Sequence, residues 1–190
     1  MPRSRRPHNR PDRTYADHRL GPGPRKRLWR AHHLMESGRH RHAALIFEQV
    51  AQATFDRKNL NRAPALFLQT GRAYLLAGRQ DVSMHWLWRG LRLLADTGRW
   101  SALERVGNRL TDELQQLGDA DLAAEIETWL QSTLPEHTSQ TDRPALRAHQ
   151  SVLPLKCSFC GGVLRPDEVE WSNEQTAECA YCGSAIRAES

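Results

Sequence analysis

The sequence predicts a mainly α-helical protein, an array of about six helices in antiparallel hairpins, followed by a small β module near the C terminus. Two observations predict the helices: leucine and alanine recur at helical spacing, and short glycine-containing turns interrupt them at regular intervals. A third observation predicts the β module. All four cysteines lie in two C-x-x-C pairs with eighteen residues between the pairs, a spacing typical of small modules held by a metal ion.

The glycine turns divide the helical region into its elements. Gly38, Gly78 and Gly118 are spaced 40 residues apart, and Gly98 lies midway between the last two. Glycine readily adopts the left-handed conformation that ends many helices, so each turn separates two neighbouring helices. The predicted helices lie near residues 26–37, 40–55, 62–77, 81–96, 100–117 and 120–134.

Local signals support the later helices individually. Asn61 and Asp81 are the predicted N-caps of the third and fourth helices. Ser101 and Glu104 form a predicted capping box at the start of the fifth helix. The fifth and sixth helices each keep one apolar face, formed by Leu103, Val106, Leu110, Leu114 and Leu117, and by Leu122, Ile126, Trp129 and Leu130.

The middle hairpin carries the residue pattern of a tetratricopeptide repeat. The matching positions are Phe67, Gly71 and Tyr74 in its first helix and Ser83, Leu87 and Gly90 in its second. Weaker copies contain Ala31, Leu34, Ala43 and Phe47 in the first hairpin and Leu114 and Ala123 in the third. Residues 28–134 therefore resemble a tetratricopeptide-like array, with a period of 40 rather than roughly 34 and without the usual proline. The resemblance implies a helical body that binds a peptide or a protein surface.

The cysteine pairs predict a metal site. Cys157, Cys160, Cys179 and Cys182 have the spacing of a four-cysteine zinc site, and a glycine follows each pair directly. We interpret them as ligands of one structural zinc ion, because four sulfurs fill a tetrahedron and leave no open position for hydrolytic chemistry. Two disulfides, redox chemistry and an iron site are the alternatives. Disulfides would require an oxidising compartment.

The cysteine-containing segment, about residues 153–188, is similar to a zinc ribbon. Its predicted strands are Val163-Leu164, Val169–Trp171 and a last edge strand Ala185–Arg187, with turns at 165–167 and 172–174. The resemblance implies a zinc-dependent fold but not one role, since zinc ribbons occur in transcription factors, ribosomal proteins and polymerase subunits as well as in small docking modules.

The charge is distributed unevenly. The net charge of the chain is +5, yet residues 1–30 carry ten basic and two acidic residues, and the other 160 residues carry seventeen basic and twenty acidic ones. With their five prolines, residues 1–24 are predicted to be a disordered basic tail. The predicted domains are a helical domain over 25–134, a polar linker over 135–151 and a zinc-ribbon domain over 152–190.

Three interpretations of the basic tail stay open. It binds nucleic acid or the ribosome through phosphates, it docks on an acidic protein, or it is a solubilising extension. Arg25, Lys26 and Arg27 adjoin the first helix and are candidate phosphate-binding residues.

The predicted ribbon hairpin is acidic. Residues 166–178 contain no Lys or Arg but hold Asp167, Glu168, Glu170, Glu174 and Glu178. We expect such a hairpin to repel phosphate, which favours a protein partner over nucleic acid. Phe159 and Tyr181 lie between the paired cysteines. They could stack on a base, but we expect them to cover the metal site.

A tryptophan cluster supplies candidate protein-binding residues. These are Trp86, Trp88, Arg89 and Trp100. Two residues apart on a helix, Trp86 and Trp88 point about 200° apart, so both cannot enter the same core. Tryptophan beside arginine is typical of interaction hot spots. The alternative is that both rings are buried between successive helix layers.

Together these patterns predict a non-enzymatic, cytoplasmic protein–protein interaction adaptor. The sequence contains no Ser/His/Asp set, phosphate-binding loop or HExxH motif, no secretory signal and no stretch long enough to span a membrane. One alternative is a nucleic-acid- or ribosome-associated protein that uses its basic residues 1–30. Another is an accessory subunit that recruits substrate to a modifying enzyme. The oligomeric state is not predicted.

Overall fold

The computed structural model describes residues 20–135 and 152–188, apart from Asp167 and Glu174. The predicted tail up to residue 19 and most of the predicted linker lie outside these residues. Six helices come first: α1 (Pro22–Glu36), α2 (His40–Asp56), α3 (Ala63–Leu76), α4 (Gln80–Asp96), α5 (Trp100–Gln116) and α6 (Ala120–Thr133). Three strands follow: β1 (Glu170–Asn173), β2 (Thr176–Glu178) and β3 (Ala185–Arg187).

The predicted mainly α-helical fold is confirmed, and five of the six helices start within one residue of their predicted positions. Helix α1 is the exception, because it begins at Pro22 rather than near residue 26. Proline is tolerated in a first helical turn, where its missing N–H has no intrahelical partner to lose. The predicted boundary between tail and body, at residue 24, therefore lies inside α1.

One backbone turn is used repeatedly to join the helices. Gly38, Gly78, Gly98 and Gly118 all have positive φ angles, between 67° and 82°. The residue after each glycine donates its N–H to a carbonyl in the last turn of the preceding helix, as from Arg39 to Leu34 at 2.9 Å. This hydrogen bond satisfies a carbonyl that the helix end leaves unpaired.

The predicted N-caps are wrong, and at Asp81 and Ser101 the same glycine turn explains why. The N-cap residues of α3, α4 and α5 are Arg62, Arg79 and Arg99, and none of them makes a side-chain capping hydrogen bond. Helices α4 and α5 start directly after the glycine turn, which places Asp81 and Ser101 inside the first helical turn. The chain geometry of the turn therefore sets these helix starts, not a capping side chain.

Neighbouring helices approach closely where the sequence has small residues. A Cβ atom at Gly71 would lie 2.6 Å from the Leu87 side chain, and one at Gly90 would lie 2.7 Å from Leu68. The Ser83 hydroxyl donates a hydrogen bond of 2.9 Å to the Gly71 carbonyl. The small residues of the middle hairpin thus allow α3 and α4 to pack tightly.

The C-terminal sheet differs in detail from its prediction. It is antiparallel in the order β1-β2-β3, with Trp171 opposite Ala177 and Ala177 opposite Ile186. Strand β1 continues into the predicted turn at 172–174, and the predicted strand Val163-Leu164 is reduced to one bridge with Lys156. The sequence did not predict β2, because three residues are too few to show an alternating pattern.

The ribbon, defined here as residues 152–188, packs on the helices instead of standing apart. One cluster of buried residues joins Leu28, Phe47 and Phe67 of the helices to Tyr181 and the four cysteines of the ribbon. A second cluster holds α3 to α6 together. Within the described residues, no helix has the length and apolar character needed to cross a membrane.

Candidate metal centre and its contacts with the helices

The structure brings the four predicted ligands together. Cys157, Cys160, Cys179 and Cys182 are buried and free, and their Sγ atoms all lie within 4.8 Å of one another. The Sγ atoms of Cys157 and Cys182 are 3.7 Å apart, as are those of Cys160 and Cys179. A tetrahedral ion with Zn–S bonds of about 2.3 Å places its sulfurs about 3.8 Å apart, whereas a disulfide bond is about 2.0 Å long. The donor set therefore fits a metal ion.

Each cysteine pair forms a tight turn, called a knuckle here: knuckle 1 is residues 157–161 and knuckle 2 is residues 179–183. Gly161 and Gly183 have φ angles of 72° and 71°, as the glycine after each pair predicted. Their N–H groups donate to the carbonyls of Cys157 and Cys179 at 2.8 and 2.9 Å. A residue with a Cβ atom would be strained in this conformation.

The acidic residues of the ribbon pair with arginines of the helical body. Buried Glu168 contacts Arg109 of α5, Arg72 of α3 at 3.5 Å, and Arg165 of the ribbon at 3.2 Å. Two further pairs join Glu178 to Arg62 and Glu170 to Arg99. The expectation that the acidic hairpin repels phosphate and favours a protein partner stays a prediction, although three of its carboxylates have arginine partners in the body. Asp167 and Glu174 lie outside the described residues.

Glu168 is held in its charged form. Burial alone would raise the pKa of its carboxyl group, but the guanidinium groups of Arg109, Arg72 and Arg165 together lower it below the ordinary value. This carboxylate is shared by three arginines, so its removal would take one ion-pair partner from each, while Arg72 would keep its pair with Glu113 at 2.8 Å.

Knuckle 2 makes two hydrogen bonds to the helical body and a third to Glu168 of the ribbon, which itself pairs with arginines of the helices. Arg62 Nη1 donates to the Cys179 carbonyl at 3.0 Å, and the Leu20 N–H donates to the Cys182 carbonyl at 3.1 Å. The Tyr181 hydroxyl donates to Glu168 Oε2 at 3.2 Å. Burial, followed by the charge of Glu168, raises the pKa of Tyr181, so its hydroxyl keeps the proton that it donates.

His32 of α1 fills the space between knuckle 2 and the helices. Its ring lies 4.9 Å from that of Phe47 and 5.1 Å from that of Tyr181. Burial lowers the pKa of His32 to about 4, so its imidazole is neutral at neutral pH. His32 acts here as a packed aromatic side chain.

Knuckle 1 faces α1 but leaves its aromatic residue at the surface. Phe159 is 48% exposed, and the Arg25 guanidinium lies 5.4 Å from its ring centre. Trp29 is 54% exposed and lies against Gly161, where a Cβ atom would be 3.2 Å from its ring. Of the predicted phosphate-binding residues, Arg25 is half-buried in this contact, and Lys26 and Arg27 are exposed.

The predicted protein-binding residues are distributed between the two buried clusters. Trp86 is buried with its ring 5.4 Å from that of Phe67, and Arg89 lies 4.3 Å over the same Phe67 ring. Trp88 and Trp100 pack partly buried against the other cluster. Trp86 and Trp88 thus point to different sides, as helical geometry predicts, and a partner reaches Trp88, Arg89 and Trp100 more readily than Trp86.

Sequence reasoning missed an apolar cleft between the helices and the ribbon. It has a volume of about 320 Å³, and its apolar lining comes from the ends of α1, α3 and α5 and from the ribbon: Met35, Leu75, Leu76, Leu117 and Val163. The sequence signal that could have indicated this cleft is the leucines at residues 75, 76 and 117, which lie next to the glycine turns. That Val163 of the ribbon lines the same cleft could not be predicted from the sequence.

The chain matches no protein-family model, no curated protein and no solved structure. Its function therefore has to be argued from the chemistry of its own surfaces.

Proposed function

We propose that the four cysteines hold one structural zinc ion and that the protein is a non-enzymatic protein–protein interaction adaptor. The spacing of the sulfurs supports the ion, and a four-sulfur set leaves no coordination position for a substrate. In this proposal the ion keeps the ribbon folded, and the folded ribbon completes one wall of the apolar cleft.

The zinc proposal predicts one zinc ion per chain. Elemental analysis of the purified full-length protein measures this ratio, and a colorimetric zinc chelator measures release of the ion. Cys160→Ser should lose the ion, whereas Ser158→Ala, at an exposed residue of the same knuckle that is not a ligand, should retain it. A protein that folds fully without any metal would contradict the proposal.

The apolar cleft is the observation that carries the adaptor proposal. Leu76, Leu117 and Val163 are each about half exposed, although they line one concave site. A second depression of about 420 Å³ shares Leu75, Leu76 and Leu117 with it, so the apolar surface is elongated. Exposed apolar surface of this kind marks interaction sites, and its length suits an apolar segment of a protein partner.

Substitution of the cleft leucines tests this proposal. The full-length protein is used to purify a nuclease-resistant partner from its host, and binding of that partner is then measured with variants. Leu76→Asp and Leu117→Asp should each abolish binding, whereas Leu45→Asp, at a similarly exposed leucine of α2, should not. If the folded cleft variants bind the partner normally and Trp88→Ala or Trp100→Ala loses binding, the partner binds the surface around Trp88 and Trp100 instead.

A further inference from the structure

Two exposed aromatic residues lie where α1 contacts knuckle 1. Among the described Phe, Trp and Tyr residues, only Trp29 and Phe159 are exposed by about half of their surface. They are 130 residues apart in sequence, yet Trp29 lies against Gly161 of knuckle 1, and Arg25, one turn before Trp29, lies over Phe159. Exposed apolar surface that is brought together in this way marks interaction sites.

Cationic and imidazole groups support both rings. Arg25, Trp29 and His33 are four residues apart on α1 and therefore form one row along the helix. The His33 ring is nearly parallel to that of Trp29, with ring centres 5.6 Å apart and an angle of 10° between the planes. Arg25 lies over Phe159 at 5.4 Å. Each ring is thus positioned by a neighbour while half of its surface faces solvent.

The surroundings of these rings are basic. Residues 20–35 contain Arg25, Lys26, Arg27 and Arg30 and no acidic residue. Glu36, at the end of the helix, is paired with Lys156 at 2.6 Å. The nineteen residues before Leu20 add six arginines and two aspartates to the sequence at this end of the chain. Within α1, a polyanion therefore meets no carboxylate that lacks a basic partner.

Three acidic residues of the ribbon that the structure describes have basic partners on the body. Glu168, Glu170 and Glu178 each pair with an arginine of the α3 or α5 region, which lies on the side of the ribbon that meets the body. Their charges are neutralised within the molecule. The electrostatic argument against nucleic acid, which the sequence alone suggested, therefore does not apply to the α1 side of knuckle 1.

We infer that this surface, formed by Arg25, Lys26, Trp29, Arg30 and Phe159 and called the α1–knuckle surface, binds single-stranded nucleic acid. Unstacked bases would stack on Trp29 and Phe159, and the basic side chains would contact phosphates. A duplex keeps its bases stacked inside and presents only phosphates, so it gains less from the two rings. The inference goes beyond the adaptor function and shares no residue with the apolar cleft.

Fluorescence anisotropy with the zinc-loaded full-length protein tests the inference. The probes are fluorescein-labelled 15-nucleotide oligouridine and oligothymidine, with a 15-base-pair duplex for comparison. We expect both single strands to bind more tightly than the duplex, with an affinity that falls as salt increases. Trp29→Ala and Phe159→Ala should each weaken single-strand binding about tenfold and leave duplex binding nearly unchanged.

Matched control variants separate this surface from general basicity. Leu45→Ala changes a similarly exposed apolar residue of α2, outside both proposed surfaces, and should leave the affinity unchanged. Arg30→Ala should weaken binding, whereas Arg39→Ala, an exposed arginine in the α1–α2 turn, should have little effect. A variant lacking residues 1–19 should bind more weakly but still lose about tenfold on Trp29→Ala.

Three results would overturn the inference. The first is no binding of any probe at low salt, and the second is binding of the duplex at least as tight as that of the single strands. The third is unchanged affinity in Trp29→Ala and Phe159→Ala variants that keep their zinc and their helical circular dichroism. If polyglutamate displaces the labelled oligonucleotide from both alanine variants as effectively as from the unaltered protein, the surface would be assigned to an acidic protein instead.

Discussion

The two knuckles of the ribbon have the same local sequence plan and opposite surroundings. Each has the pattern Cys-x-aromatic-Cys-Gly, with Phe159 in knuckle 1 and Tyr181 in knuckle 2. Tyr181 is 5% exposed and hydrogen-bonded to Glu168, whereas Phe159 is 48% exposed. The turn geometry is the same in both, so the motif decides the conformation of a knuckle and the helical body decides what its aromatic residue does.

This difference assigns separate roles to the two sides of the ribbon. Knuckle 2 attaches the ribbon to the body through Arg62, Leu20 and Tyr181. Knuckle 1 contributes half of an exposed aromatic surface with Trp29. If the ribbon were joined to the body only through a linker, neither aromatic residue would be buried against the helices. Phe159 and Tyr181 would then have equivalent surroundings.

Loss of the proposed metal ion should produce the largest effect, and the effect should be the same for both knuckles because each supplies two of the four cysteines that would hold it. Metal binding contributes on the order of 10 kcal/mol to small zinc modules, so Cys157→Ser and Cys182→Ser should both unfold the ribbon. The helices should also melt at lower temperature, since they lose the core they share with it. Circular dichroism melts measure this, and unequal effects of the two variants would argue against a shared ion.

Substitution of the two aromatic residues should separate the knuckles. Tyr181→Ala removes a buried ring and should cost about 3–5 kcal/mol of unfolding free energy. Phe159→Ala removes an exposed ring and should change it by less than about 1 kcal/mol. Urea denaturation of the zinc-loaded protein gives both values. Similar costs for the two variants would mean that knuckle 2 is not buried against the helices.

Glu168 should be the most important charged residue on the knuckle 2 side. Glu168→Gln removes the charge that Arg72, Arg109 and Arg165 share, and should cost about 3 kcal/mol of unfolding free energy at pH 7 even though Arg72 keeps its pair with Glu113. Because the pKa of Glu168 is lowered on folding, its contribution is present above the ordinary carboxyl pKa and is lost as pH falls through the lower folded value. Glu36→Gln, in an exposed pair with Lys156, is the control and should leave stability unchanged. Equal effects of the two variants in urea denaturation would contradict the docked arrangement.

Near neutral pH, the protonation of His32 should have the smallest effect on stability. Burial beside knuckle 2 lowers its pKa to about 4 from 6.5, so the folded state resists the proton that the unfolded state takes up. Its contribution to stability is therefore complete above pH 6.5 and decreases as the pH falls toward 4. Nitrogen-15 NMR of the imidazole should show a neutral ring at pH 6. A ring that titrates at or above 6.5 would place His32 in water.

The sequence predicted what depends on local chemistry. Helix ends followed from glycines that must adopt positive φ, and the metal ligands followed from the spacing of Cys157, Cys160, Cys179 and Cys182. The attachment of the ribbon could not be predicted in this way. Arg62 and Glu178 are 116 residues apart in sequence, and many arginines and glutamates offer equivalent pairings until the fold selects among them.

The N-caps and the exposed aromatic residues show the same limit. A capping side chain is a weak local preference, and the glycine turns overrode it at Asp81 and Ser101. Phe159 and Tyr181 occupy equivalent positions in their motifs, so no local rule distinguishes the exposed ring from the buried one. That distinction arises only when knuckle 2 docks on the helices.

Hydrogen–deuterium exchange of the full-length protein, with the metal bound and after chelation, tests most directly whether the metal couples ribbon and body. We predict that chelation increases exchange throughout residues 155–187 and also in α1 and α3, which lose their contacts with knuckle 2. Helix α6, which has no such contact in the shared buried cluster, should change least. Increased exchange confined to the ribbon, with α1 and α3 unaffected, would contradict the account.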